Sequence, residues 1–472
     1  MKLALPKGRF LSPTAKFLTD IDLGFRNYND KTKQYRLRSA SLPSLSAKVL
    51  QEKDISIQVA VGNYDLGICG LDWIEEFLVK YPAGALVKIS SLNYGEGSID
   101  AVANAEAGIT DLDSLSAGGN DYRIVSEYPN MAEAFALDLR MRRFRIFPVW
   151  GAAEAYPPEN ADLAVLWRKN AADLTNEGLI RLKRLLPVTA YLIANRESLE
   201  NKDLSQLLTR FIPKLAIEPA IPSESEPDTA QEPKAYLRSW QAKEINLALP
   251  DGHQQVPTAQ FLKRAGLSIQ GYSQQALSRR PRTDLDWLGI KVIRPQDMPL
   301  QVANGSFDLA ITGEDWLREH LYRFPSSPVK RLFSLGFGTV QMVAAVSREM
   351  PVADIDELRS YVERYAGFIS APLKVASEYI DIADRYLRDN HISPYKLIPT
   401  WGASEAFLPE DADMLIDNVQ TGKTIEQHEL KIIDVLFRSS ACLIANSNAI
   451  RATSHKKDKM KLLIDNLRAG LS

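Results

Sequence analysis

The chain has 472 residues, 45% apolar and 25% charged, which is ordinary soluble composition with length for several compact domains. Lys and Arg number 57 against 59 Asp and Glu, and a net charge of -2 excludes a global field for holding nucleic acid or an anionic membrane, so any polyanionic ligand must meet a local positive site. No apolar run approaches the 18 residues of a spanning helix and no signal-peptide pattern opens the chain, so a cytoplasmic protein is expected.

In chain order, Leu3 to Pro6 reads as a strand that hands over to the loop Lys7-Gly8-Arg9, with a helix predicted through Pro13 to Leu18. Asp65 to Gly70 reads as a strand and Leu71 to Leu78 as a helix. This alternation predicts an α/β fold with mainly parallel strands and helices on both faces. The stretch is long for one such sheet, so two lobes with a cleft between them are expected. The cysteines, Cys69 and Cys442, lie in strand-like text and read as buried thiols. His253, His320, His391, His428 and His455 show no metal-ligand spacing, so no metal site is expected from protein ligands alone.

The text is then written a second time. Leu3-Ala4-Leu5-Pro6 returns 244 residues later as Leu247-Ala248-Leu249-Pro250, and Gly62-x-x-Asp65-Leu66 with Gly70-x-Asp72-Trp73 returns at 243 as Gly305-x-x-Asp308-Leu309 with Gly313-x-Asp315-Trp316. Ser126-Glu127-Tyr128, Trp150-Gly151-Ala152 and Leu192-Ile193-Ala194-Asn195 all return at 251, the last as Leu443-Ile444-Ala445-Asn446. Ordered matches with so long a period mean tandem duplication of a complete folding unit rather than a solenoid. The predicted domains are copy one over 1–215, a linker rich in Pro and acidic residues over 216–243, and copy two over 244–472.

The sharpest candidate site runs from Asp413 to Ile425, where Met414 to Ile416 reads as a buried strand and Ile425 onward as a helix. A strand ending in Thr421-Gly422-Lys423-Thr424 before a helix offers unpaired amides to a phosphate; Gly422 allows close approach, Thr421 and Thr424 add hydroxyls, and Lys423 adds charge. Asp417 is placed to accept from ribose hydroxyls. The bland reading is a capped helix with Thr424 as its N-cap and Gly422 as a turn glycine. Copy one has lost this loop: Leu166, Asn170, Ala171 and Asp173 stand at the matching positions. The amino ends differ the other way, with Lys7-Gly8-Arg9 in copy one and Asp251-Gly252-His253 in copy two. Lys7 and Arg9 are candidates to face nucleotide phosphates, with solvated surface charge as the alternative. Arg294-Pro295-Gln296-Asp297 in copy two replaces Gln51-Glu52-Lys53-Asp54, making Arg294 a further phosphate or base candidate, with an ordinary Arg to carboxylate pair as the alternative. Glu405 is a candidate ribose or magnesium contact. Gly336-Phe337-Gly338 reads as a tight connection between lobes.

Taken together, Leu5-Pro6-Lys7-Gly8-Arg9, the segment from Arg294 to Pro299, the segment from Gly305 to Asp315, the turn Leu335-Gly336-Phe337-Gly338, the loop from Asp417 to Thr424 and Leu443 to Asn446 resemble the short form of the ATP phosphoribosyltransferase family, twice over and across nearly the whole chain outside the linker. The resemblance implies two lobes per copy, of the type II periplasmic-binding-protein kind. It implies phosphoribosyl pyrophosphate (PRPP) with Mg2+ on Glu405, Asp417, Gln420, Thr421, Gly422, Lys423 and Thr424. It also implies ATP nearer Lys7, Gly8, Arg9, Arg294 and Asp297. The family's reaction joins adenine N1 to the ribose anomeric carbon and expels pyrophosphate, opening histidine biosynthesis. Such chemistry needs positioning and charge stabilisation, so no nucleophile is nominated. The chain departs from the family at Asn418, where an aliphatic residue is usual, at Gln420, where Glu or Ser is usual, and in a Glu405 to Asp417 spacing one residue short.

The family packs subunits head to tail, so the resemblance implies an intrachain pseudo-dimer with one working and one decayed site. Higher homo-oligomers and a synthetase-like regulatory subunit are the partner types it brings. The competing reading is a non-catalytic paralogue that binds PRPP or nucleotide without turnover.

Overall fold

A computed structural model describes residues 1–29, 35–39, 41–82, 84–109, 111–112, 115, 120–212, 243–273, 277–369, 372–450 and 454–471. The expected linker lies, apart from Lys243, outside these residues. The chain divides into two compact units, unit 1 of Met1–Pro148, Tyr156–Ser239 and Trp401–Ala406, and unit 2 of Val149–Ala155, Trp240–Thr400 and Phe407–Ser472.

Unit 1 contains two sheets. Edge to edge, the first runs Arg36–Arg38, Ser46–Leu50, Lys2–Pro6, Leu66–Gly70, Ala190–Asn195, Leu86–Ser91. Lys2–Pro6 pairs in parallel with both of its neighbours, as strands joined through crossover helices must, whereas Ala190–Asn195 runs antiparallel to both of its own. The second sheet runs Leu179–Val188, Gly97–Asn104, Leu163–Arg168, Tyr122–Ser126, Phe144–Pro148, parallel over its last three strands and antiparallel over the rest. The two-lobed α/β architecture is therefore present. Its parallel centres carry antiparallel flanks because the chain must leave lobe I, build lobe II and come back.

Unit 2 repeats the pattern. Its two main sheets run Leu288–Ile293, Ile245–Pro250, Leu309–Gly313, Ala441–Asn446, Val329–Ser334, and Tyr395–Pro399, Leu373–Ser377, Met414–Val419, Val340–Ser347, Leu430–Ser439, with a separate antiparallel pair of Ile269–Tyr272 and Leu277–Thr283. The expected connection at Gly336-Phe337-Gly338 joins the two sheets, with both glycines left-handed at φ 73° and 64°. Cys69 and Cys442 are buried in central strands, as read from sequence.

The first helix spans Leu11–Asp20 and buries Leu11, Thr14, Phe17 and Leu18, one stripe facing its sheet. The helix read from Leu71 to Leu78 runs Leu71–Lys80. Each unit binds its lobes together by the same buried contacts. The Tyr128 hydroxyl donates to Asp72 and the Tyr379 hydroxyl to Asp315, both at 2.7 Å. Glu76 accepts the backbone N–H groups of Asn130 and Met131, and Glu319 those of Asp381 and Ile382, so each carboxylate caps the first turn of a lobe II helix. Trp316 stacks on Tyr379 with centroids 4.2 Å apart, and Trp73 lies 4.3 Å from Tyr128.

Candidate functional site

In unit 2, Met414, Leu415 and Ile416 are buried between neighbouring strands, and the strand emerges at Asp417, Asn418 and Val419. Gln420, Thr421, Lys423 and Thr424 are exposed. Gly422 sits at φ 72°, a conformation that costs an L side chain roughly 1–2 kcal/mol. A Cβ built there would meet nothing within 4 Å, so backbone conformation rather than packing asks for glycine. The helix starts at Lys423, two residues before the predicted Ile425, and ends at Gln427. Gly422 is its N-cap and no side chain caps it, which corrects the reading of Thr424 as the cap and leaves the first-turn amides without a side-chain acceptor. Ile425 is buried and pins the turn to the lobe.

Asp417 Oδ1 accepts the N–H of Asn418 at 2.7 Å. Asn418 itself donates its amide to the Tyr379 hydroxyl at 2.6 Å, so the unusual residue joins the Tyr379–Asp315 contact between lobes. Asp315 takes a further hydrogen bond from Ser439.

In unit 1, Gly8 at φ 81° turns the chain after the first strand, with the Lys7 N–H on the Leu50 carbonyl at 2.8 Å. Lys7 Nζ donates to the Tyr35 hydroxyl at 3.0 Å. Glu405, in the turn Ser404–Phe407, belongs to this unit. Burial pushes its pKa up, partly offset by its own backbone N–H and by the nearby Lys7 charge. Arg9 is engaged within the chain: it bonds Glu52 at 2.9 Å and Asp72 at 2.5 Å, and its guanidinium carbon stands 4.6 Å from the Phe10 ring centre and 4.4 Å from that of Trp167. Burial opposes its charge, but Asp72 and then Glu52 more than offset this, so it stays protonated more firmly than usual. Glu52 is pushed up to about 7 by burial despite Arg9.

In unit 2, Asp297 is likewise committed: its two oxygens accept the Trp150 N–H at 3.0 and 3.1 Å. The counterpart in unit 1 is Asp54, 1% exposed and directed at the Trp401 N–H, without a hydrogen bond of ordinary geometry. Burial holds its carboxyl well above the usual range. Arg294 keeps a 42% exposed side chain, paired with Asp251 at 3.3 Å. Arg279, overlooked in the sequence, bridges Asp251 at 2.8 Å and Glu154 at 3.1 Å. The repeated Trp-Gly-Ala at 150 and 401 was the available signal for Asp54 and Asp297; nothing local marked Arg279.

Unit 1 thus gathers Lys7, Gly8, Arg9 and Glu405, while unit 2 holds Arg294, Asp297 and the turn from Asp417 to Thr424. Among the described residues no group of three or more His, Cys, Asp or Glu is arranged to hold a metal ion.

The family model described as HisG, ATP phosphoribosyltransferase, matches residues 51–215 and again 294–469. An ATP phosphoribosyltransferase of Saccharolobus solfataricus is 30% identical over 235 residues, covering 49% of this chain and 73% of that protein; one of Chelativorans sp. is 30% identical over 210 residues, covering 42% and 89%. Among solved structures, an ATP phosphoribosyl transferase (HisG:HisZ) complex from Thermotoga maritima aligns with TM-score 0.39 at 20% identity, covering 48% of this chain and 98% of that one. A periplasmic aliphatic sulphonate binding protein of Escherichia coli aligns at 0.31 and 16%, covering 45% and 72%. With the family model matching twice over most of its length, this chain belongs to the ATP phosphoribosyltransferase family, as two tandem copies.

Proposed function

We propose that the chain condenses ATP with PRPP, adenine N1 attacking the ribose anomeric carbon to give phosphoribosyl-ATP and pyrophosphate, the first step of histidine biosynthesis. The observation that carries this reading is the turn at Gly422: a half-buried, left-handed glycine between exposed neighbours, hydroxyls on either side, a lysine, and helix amides that no N-cap side chain satisfies. Amides and hydroxyls fixed before the substrate arrives stabilise charge that grows on departing pyrophosphate without reorganising first. Asp417 at the strand end faces ribose hydroxyls. Magnesium takes one or two carboxylates together with substrate phosphates, so Asp417, beside the Gly422 turn, is the residue that fits Mg2+ carried in on PRPP, and the ion would supply neutralisation of the leaving group's charge. Arg294 is the ATP candidate of unit 2, and Lys7 and Gly8 are those of unit 1; Arg9 and Asp297, already paired within the chain, shape those turns rather than release their charge to a ligand.

Copy two supplies the PRPP turn and copy one does not, so one PRPP binds per chain. A synthetase-like regulatory subunit is the partner class to supply if the chain alone is inactive. The deciding experiment mixes purified chain with ATP, PRPP and Mg2+ and follows phosphoribosyl-ATP absorbance. No product from a folded chain, alone or with such a subunit, overturns the assignment in favour of a binding paralogue.

A further inference from the structure

We infer that copy one is held shut by its own Arg9, an internal cation standing where a closing ligand would act, so that movement between lobes belongs to copy two alone. Arg9 reaches from the lobe I turn onto the lobe I carboxylates Glu52 and Asp72, and its guanidinium packs against Trp167 at the end of a lobe II strand. Asp72 in turn receives the lobe II hydroxyl of Tyr128. One side chain, 23% exposed, therefore ties both sheets of the unit through an ion pair, a hydrogen-bonded relay and a cation–π contact.

The residues around Arg9 differ from copy two as a set. His253 replaces Arg9 and is exposed; Gln254 replaces Phe10; Pro295 replaces Glu52; Asn418 replaces Trp167. Gly97, at the start of the strand that pairs with the Trp167 strand, becomes Val340. That glycine is needed in copy one, because a Cβ on it would come within 2.5 Å of the indole nitrogen. What the two copies share, Asp72 with Tyr128 and Asp315 with Tyr379, is the plain hydrogen bond; copy one adds Arg9 seated on Trp167, where copy two has Arg318 over Phe437 at 4.1 Å instead. Parting the lobes of copy one breaks the Arg9–Trp167 contact and the Lys53–Glu127 ion pair at 3.4 Å, while the contact of Arg318 over Phe437 in copy two is made by a side chain 36% exposed and is the weaker cation–π seat.

The test is independent of catalysis. Spin labels on Lys16→Cys with Leu137→Cys report the lobes of copy one, and on the equivalent exposed positions Gln260→Cys with Arg388→Cys those of copy two; both native cysteines are buried and stay unlabelled. Without ligand, the copy-one distance distribution is expected to be at least twofold narrower than that of copy two. Trp167→Asn, which installs the copy-two residue, and Arg9→Ala should each widen copy one about twofold and leave copy two unchanged. Equal widths in the unmodified chain, or an unwidened copy one in a Trp167→Asn chain that still melts cooperatively, overturns the inference. Should Arg9→Ala fail to fold, the Trp167→Asn result decides.

Discussion

The Tyr379 hydroxyl donates to Asp315 at 2.7 Å while accepting the Asn418 amide at 2.6 Å, so one phenol joins a lobe I helix to the strand that leads into the Gly422 turn. Burial raises its pKa, so it is a donor at every physiological pH. Tyr379→Phe leaves buried polar partners unpaired and is expected to cost about 1–3 kcal/mol in urea denaturation. Because the same change loosens the strand before the turn, KM for PRPP should rise while KM for ATP stays within about twofold.

Gly422→Asp places a carboxylate where pyrophosphate is proposed to sit. Product formation is expected to fall at least a hundredfold, with stability lowered by the roughly 1–2 kcal/mol that the left-handed φ costs a side chain and no more, because the space for it is open. Gly422→Ala should cost about 1 kcal/mol through its left-handed φ and lower activity less. Equal activity in the Asp variant would remove the turn from the reaction.

Arg294→Gln gives copy two the residue that copy one has at position 51. With its side chain 42% exposed, stability should change by no more than about 0.5 kcal/mol, and KM for ATP should rise about tenfold. Unaltered ATP kinetics would return Arg294 to the role of Asp251's ion-pair partner.

Titration calorimetry with PRPP and Mg2+ should give one equivalent bound per chain. Two equal sites would mean that Asn170, Ala171 and Asp173 bind phosphosugar as well as the intact loop, against the repulsion expected of Asp173.

His320 is lowered to about 4 by burial first and then by Arg323, and its ring bonds Ser327 at 2.7 Å. A histidine neutral in the fold and protonated in the unfolded chain makes stability rise with pH between about 4 and 6.5. Glu319, raised to about 7 chiefly by burial, acts oppositely, stability falling as pH climbs from about 4.5 to 7. The two mask one another in the parent. His320→Gln should therefore show a steeper loss of stability on going from pH 5 to 7 in urea titrations, and a slope equal to the parent's would contradict the assignment.

The lobes, their strands and the duplication were legible in the sequence because period-2 and parallel-core patterns are local, and because Leu3 to Pro6, Gly62 to Trp73 and Leu192 to Asn195 each recur. The Gly422 turn was legible as strand, glycine and helix, though its helix starts two residues early because the left-handed glycine itself takes the capping position. Arg9 was not legible. As text it is a cation beside a glycine, like Lys7, and its burial comes from residues at 52, 72 and 167, which only the folded sheets bring together. The same holds for Asn418, which looked like a departure until Tyr379 stood next to it.

Lobe II of each copy is one uninterrupted run, its strands spanning Gly97 to Val188 and Val340 to Ser439, whereas each lobe I sheet receives an interior strand, Ala190–Asn195 or Ala441–Asn446, only after lobe II has been made. On the ribosome, then, lobe I waits half-built with Leu66–Gly70 or Leu309–Gly313 as an open apolar edge. Of the two lobes, only the second can be transplanted as a single stretch of coding sequence.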